Sequence, residues 1–263
     1  QPAKNINLKI EKLSGNLIKR HWSASLIDIG DDIINVEFHS ILQPKLNPID
    51  GSILQTLYKA QSWVKDNGYK GLVISGDNTN FCAGANLNMI LNPAYRKDWN
   101  ELNRTVKTMQ DILQSLRYAP FPIVAAPFGL VLGGGYETIG ACDRIVAAGE
   151  SYIGLVEVGV GLIPGAGGNL RMISNLSRKI KSAMPGAFPI IQKAFETIGF
   201  AKVATSAKEA QAIGYLEKDD RIIVNRDHIL SEAKNEVLAM VDNYTVPEVE
   251  SFKLPGKSGR LVL

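Results

Sequence analysis

The chain has 263 residues, enough for one large domain or one domain with a small appendage. Its composition is that of an ordinary globular protein, 45% hydrophobic and 21% charged, and a formal charge of +3 is too small to argue for a nucleic-acid partner. Cys82 and Cys142 stand outside any Cys-x-x-Cys or Cys/His cluster, which argues against a disulfide framework and a metal site, and no apolar run reaches the roughly 20 residues that span a bilayer.

The two cysteines read as small buried apolar residues of a reducing, cytoplasmic compartment. Residues 1–24 read as a polar lead-in with a short helix, without a signal-peptide pattern. A first residue other than Met, and an apolar segment just beginning at Leu261-Val262-Leu263, suggest a piece of a longer polypeptide. Residues 25–38 then predict strand, turn and strand, with Gly30-Asp31-Asp32 as the turn. Ile49, Ile53, Leu54, Leu57 and Ala60 give residues 48–67 a helical period, and residues 71–76 form a short apolar strand. A loop over 77–80 leads to the small apolar run Phe81-Cys82-Ala83-Gly84-Ala85-Asn86-Leu87.

Residues 99–117 are amphipathic, with Leu102, Val106, Met109, Ile112, Leu113 and Leu116 expected inward, and Pro120 and Pro122 follow. Residues 123–127 read as a buried strand. Leu130-Val131-Leu132 then runs into Gly133-Gly134-Gly135, where a helix carrying Glu137 should begin. Residues 144–148 form another strand, and helices are expected over 169–182, 188–198, 206–213 and 227–241, before an extended tail from Val246. Alternating strands and helices of this kind give an α/β fold with parallel strands. The division expected is 1–24 as lead-in, 25–200 as core, and 201–263 as helical C-terminal part and tail.

Two glutamates carry the chemistry. Glu137 follows the triple glycine, and Glu157 lies in Gly154-Leu155-Val156-Glu157-Val158-Gly159, ahead of Ile163-Pro164-Gly165-Ala166-Gly167-Gly168. A pair of carboxylates can divide acid and base work on one water molecule, and an apolar frame tunes both. The triple glycine is neither a P-loop nor a dinucleotide fingerprint, since no Gly-Lys-Ser/Thr follows and the spacing is wrong. At a strand-to-helix junction, however, its N–H groups can hold an oxyanion. Taken singly, Glu137 is explained as a first-turn residue favouring the helix N-terminus and Glu157 as a loop residue; the matching frames favour a joint role. His21, His39 and His228 are dispersed, and Gly-x-Ser-x-Gly is absent, so a Ser/His/Asp hydrolase is a weak reading.

The ordered motifs from Phe81 to Leu87, Pro122 to Glu137, Cys142-Asp143, and Glu157 to Gly168 resemble the crotonase superfamily of enoyl-CoA hydratases and isomerases. The resemblance runs from about Ser25 to Gly168 and resumes weakly over 206–216. It implies a crotonase-like spiral of β-β-α units with a helical C-terminal part that mediates trimers or multiples of them. It implies an acyl-CoA ligand, with Ala85 and Gly134 as oxyanion-hole donors and Glu137 and Glu157 as the two hydratase acids. Ala83, Gly84, Gly133 and Gly165 fall at its substrate positions. The implied reaction is hydration of a trans-2-enoyl-CoA in fatty-acid β-oxidation, with isomerase chemistry or acyl-CoA binding without turnover as the alternatives. Asn86 stands where many members have Asp, and residues 40–48 and 168–206 are longer than in simple hydratases. These departures resemble the hydratase part of a larger protein that also carries a 3-hydroxyacyl-CoA dehydrogenase. NAD would belong to that other part, and this piece is expected to hold no cofactor of its own.

Overall fold

The computed structural model describes residues 5–180 and 188–263. The stretch read as a lead-in contains helix α1 (Leu8–Leu13) and a strand, β1 (Leu17–Arg20), where no strand was expected. This strand pairs antiparallel with β2 (Ala24–Asp28), and β2 pairs antiparallel with β3 (Ile33–Phe38). The turn between β2 and β3 falls at Gly30-Asp31-Asp32, all three in the left-handed region with φ of 83°, 56° and 60°. Helix α2 (Gly51–Asp66) starts where Asp50 accepts a hydrogen bond from Ile53 N at 2.9 Å. Strand β4 (Gly71–Gly76) follows, then α3 (Asn88–Tyr95), which the sequence reading missed because Pro93 lies inside it. Asp98 caps the long helix α4 (Trp99–Arg117) through Glu101 N.

The next two spiral turns share one plan. Strand β5 (Ile123–Ala125) joins the large sheet, β6 (Leu130–Leu132) joins a small sheet, and helix α5 (Gly134–Gly140) closes the unit. Strand β7 (Arg144–Ala148) then enters the large sheet, β8 (Tyr152–Gly154) the small one, and a 3-10 turn over Glu157–Val160 stands where the helix stood before. Helices α6 (Gly168–Lys179) and α7 (Phe188–Gly199), strand β9 (Val203–Ala204), helix α8 (Ala207–Ile213), strand β10 (Arg221–Ile223) and helices α9 (Ile229–Val241) and α10 (Gly256–Val262) complete the chain. The expected α6 overran the observed one, and its residues 181 and 182 lie outside the described residues. The tail expected to be extended from Val246 ends in α10.

The large sheet has the order β1-β2-β3-β4-β5-β7-β10, parallel from β3 to β10, and the small sheet the order β6-β8-β9. Side chains alternate between two cores. Leu72 and Ile74 of β4, Ile123 and Ala125 of β5, and Ile145 and Ala147 of β7 face the core shared with α2 and α4. Val73, Val124, Val146 and Ala148 face the other, sealed by Ile229, Ala233 and Val237 of α9. Both faces are covered, which is why these strands read as continuous apolar runs. Cys82 and Cys142 are fully buried in the first core. The result is the mixed α/β, parallel-rich fold expected.

Candidate active site

The spacing of the two glutamates is one turn of the spiral. β6 and β8 run parallel in register, Leu130 beside Tyr152 and Leu132 beside Gly154, so the segments that follow them lie side by side. Glu137 sits in the first turn of α5, and Glu157 opens the corresponding 3-10 turn. The junction between β6 and α5 requires glycine. Gly133 has φ 52°, and a methyl group there would lie 3.4 Å from Glu157 Oε1. Its N–H donates to Gly154 O at 2.8 Å, tying the two turns together.

The segment from Ala83 to Asn86 closes a third side. Cys82 bridges in parallel to Val131 and Ala85 to Ile49, with Ile49 N donating to Gly84 O and Asn86 N to Ile49 O. This leaves the Ala85 N–H turned away from the bridge. The Gly134 N–H, first in its helix, has no intrahelical partner. Among the described residues neither donor meets an acceptor. A methyl group on Gly134 would lie 3.4 Å from Ala85 N, so the two donors are neighbours across a narrow gap that a side chain at 134 would enter.

A cavity of about 670 Å³ collects these groups. Glu137, Glu157, Ala83, Gly84, Ala85, Gly133, Gly134 and Gly165 all line it, so every candidate residue named from the sequence meets in one place. Its remaining wall is mainly apolar, including Ile49, Leu54, Leu87, Leu102, Val106 and Met109. Three of these, Leu102, Val106 and Met109, were expected in the packed core. They are half-buried and face the cavity, while Ile112, Leu113 and Leu116 of the same helix are buried as expected.

The two carboxyls differ in their surroundings. Glu137 is 5% exposed, and its Oε1 accepts hydrogen bonds from Ala166 N at 2.7 Å and Gly168 N at 2.9 Å. Burial raises its pKa, and the two N–H groups oppose that rise. Gly168 must lack a side chain, because a methyl there would lie 2.6 Å from Leu155 and 3.2 Å from Glu137 Oε1. Neither oxygen of Glu157 is solvent-exposed, and neither has a hydrogen-bond partner among the described residues. Burial pushes Glu157 up to about 7; its own N–H, near but outside hydrogen-bond geometry, offsets this in part, and the charge of Glu137 adds to it.

Sequence reasoning missed the groups that hold these acids. Tyr215 is one. Its hydroxyl accepts from Leu155 N at 3.1 Å and donates to Lys202 O at 2.7 Å, fixing the chain two residues before Glu157. Asp143, part of the quoted Cys-Asp pair, accepts from Ile123 N at 2.8 Å and Tyr244 Oη at 3.3 Å, and so anchors β5 rather than facing the cavity. Among the described residues no cluster of three or more potential metal ligands occurs, and no helix is long and apolar enough to cross a membrane.

The spiral of strands with acids on successive turns is the fold of the crotonase superfamily. The family model described as Enoyl-CoA hydratase/isomerase matches residues 29–185, and the chain belongs to that family. It is 42% identical over 99% of its length to a Bacillus subtilis (strain 168) protein named probable 3-hydroxyacyl-CoA dehydrogenase, covering 32% of that protein. It is 30% identical over 78% of its length to the peroxisomal bifunctional enzyme of Cavia porcellus, covering 30% of it. The chain thus spans about a third of the length of these curated relatives. Among solved structures, an enoyl-CoA hydratase from Bacillus anthracis superposes with a TM-score of 0.65 at 23% identity, over 84% of this chain and 76% of that one.

Proposed function

We propose that this chain adds water across the double bond of a trans-2-enoyl-CoA to give the 3-hydroxyacyl-CoA. The observation that carries the proposal is the meeting, in one apolar cavity, of two free N–H donors and two carboxyls in contrasting environments. The thioester oxygen accepts hydrogen bonds from Ala85 N–H and Gly134 N–H, which stabilise the enolate-like charge that develops there; one such donor is typically worth about 10²–10³ in rate. Glu137, whose two N–H partners oppose the rise that burial imposes on its carboxyl, takes a proton from water as the water oxygen bonds to the β-carbon. Glu157, partnerless and raised to about 7, keeps a large share of its protons near neutral pH and delivers one to the α-carbon. The proton gained by Glu137 and lost by Glu157 then re-equilibrates through solvent. Shifting a double bond needs only one acid–base group, so the second carboxyl, its oxygens screened from solvent, supports hydration over isomerisation.

Ala83, Gly84, Gly133 and Gly165 contact the thioester in this proposal, and their small size leaves room for its backbone. The longer relatives extend it to a β-oxidation protein in which a 3-hydroxyacyl-CoA dehydrogenase part, with its NAD, consumes the product. A trimeric assembly belongs to the same proposal. The test is the loss of ultraviolet absorbance of crotonyl-CoA and of a longer trans-2-enoyl-CoA, with Glu137→Gln and Glu157→Gln as controls. Hydration by the parent chain that falls about 10²–10⁴-fold in each variant is expected. Binding of the thioester without turnover would replace the proposal with a binding role, and double-bond migration without hydration would replace it with isomerase chemistry.

A further inference from the structure

The two N–H groups on Glu137 come from the loop between the 3-10 turn and α6, and one of them is held from behind. Gln110, on α4, donates through Nε2 to Gly165 O at 2.6 Å. Only the amide NH₂ end can serve here, because the partner is a carbonyl. The Gly165 carbonyl and the Ala166 N–H are opposite ends of one planar peptide unit. That same N–H donates to Glu137 Oε1 at 2.7 Å. A continuous chain therefore runs from the Gln110 amide through the Gly165–Ala166 peptide to the carboxyl. Each link polarises the next, and fixing the carbonyl at one end fixes the direction of the N–H at the other. The loop is pinned once more nearby, where Asn169 Nδ2 donates to Pro164 O at 3.0 Å, but that bond acts on the preceding peptide.

We propose that Gln110 is a positioning residue that orients the Gly165–Ala166 peptide so that its N–H stays on the Glu137 carboxyl. This rests on the hydratase reading only for its effect on turnover. Gln110 is exposed at the rim of the cavity that holds both acids, and being exposed it can be substituted with the fold left in place. Gln110→Met keeps the length and apolar stem and removes the donor. The carbonyl is then free to rotate, and Glu137 loses part of a bond that favours its ionised form.

The experiment is a pH titration of the Glu137 carboxyl by ¹³C NMR on glutamate-labelled protein, its resonance assigned by loss in Glu137→Gln. The pH dependence of crotonyl-CoA hydration is measured beside it. In Gln110→Met the Glu137 resonance should titrate at higher pH than in the parent. The limb of the rate profile that Glu137 governs should move the same way, and kcat should fall about tenfold with KM little changed. Gln110→Ala, which removes the same donor, must move the titration in the same direction. Identical Glu137 titrations in parent and variants would overturn the role of Gln110. A parent chain that hydrates no enoyl thioester would remove the hydratase reading and leave the titration comparison intact.

Discussion

Glu157→Gln should make the protein more stable, by an amount that grows with pH. A carboxyl raised from its ordinary 4.5 to about 7 is held in the folded protein at a cost when ionised. At 1.36 kcal/mol per pH unit the full rise corresponds to about 3 kcal/mol. The residue is half-buried, and solvent screening reduces this to about 2 kcal/mol. The sign follows from proton counting. Between 4.5 and 7 the folded state binds the proton and the unfolded state releases it, so stability falls as pH rises. The penalty is absent below about 4.5 and complete above about 7. Glutamine is near in shape and never ionises. Guanidinium unfolding of parent and variant at pH 4.5 and pH 8.5 reads the difference directly, provided the slopes match. The variant should gain about 2 kcal/mol at pH 8.5, some 4–8 °C in melting temperature for a chain of this size, and a few tenths at pH 4.5. A gain that is the same at both pH values would refute the reasoning, because it would locate the effect in packing rather than in the buried charge.

Gly134→Ala places a methyl 3.0 Å from Met109 Cε, 3.3 Å from Ile49 Cδ1 and 3.4 Å from Ala85 N. The ends of Met109 and Ile49 can swing aside, so melting should change little, while the methyl, lying between the two N–H donors, blocks an oxygen from reaching both and hydration of crotonyl-CoA should fall by about 10²-fold. Tyr215→Phe leaves the Leu155 N–H buried without its acceptor and should cost about 1–3 kcal/mol in urea unfolding. A neutral result there would mean that another acceptor replaces the hydroxyl.

The sequence carried the candidate site because its parts are local. Three glycines before Glu137, and the glycine-rich run after Glu157, are short segments whose backbone needs can be read without knowing their neighbours. The apolar strands β4, β5 and β7 were equally legible, since a strand buried on both faces shows itself in composition alone. What escaped depended on contacts distant in sequence. Leu102, Val106 and Met109 have the same period as Ile112 and Leu116, and periodicity cannot tell the wall of a cavity from a packed core. β10 is three residues long and exists because Arg221 to Ile223 find Val146 to Ala148 beside them. Tyr215 and Gln110 look like any tyrosine and any surface glutamine until the chain brings them to Leu155 and Gly165.

The two acids also differ in how tightly the fold encloses them. Glu137 is enclosed by a helix whose seven residues are all buried, with Gly168 packed against its side chain. Glu157 opens a four-residue turn in which no residue is buried, and Gly159 and Gly161 have open space where a side chain would extend. A change at 137 must be absorbed by several elements at once, whereas a change at 157 disturbs one short turn. On the proposed hydratase reading, a substitution at 157 should therefore alter proton handling with less disturbance of the fold than one at 137.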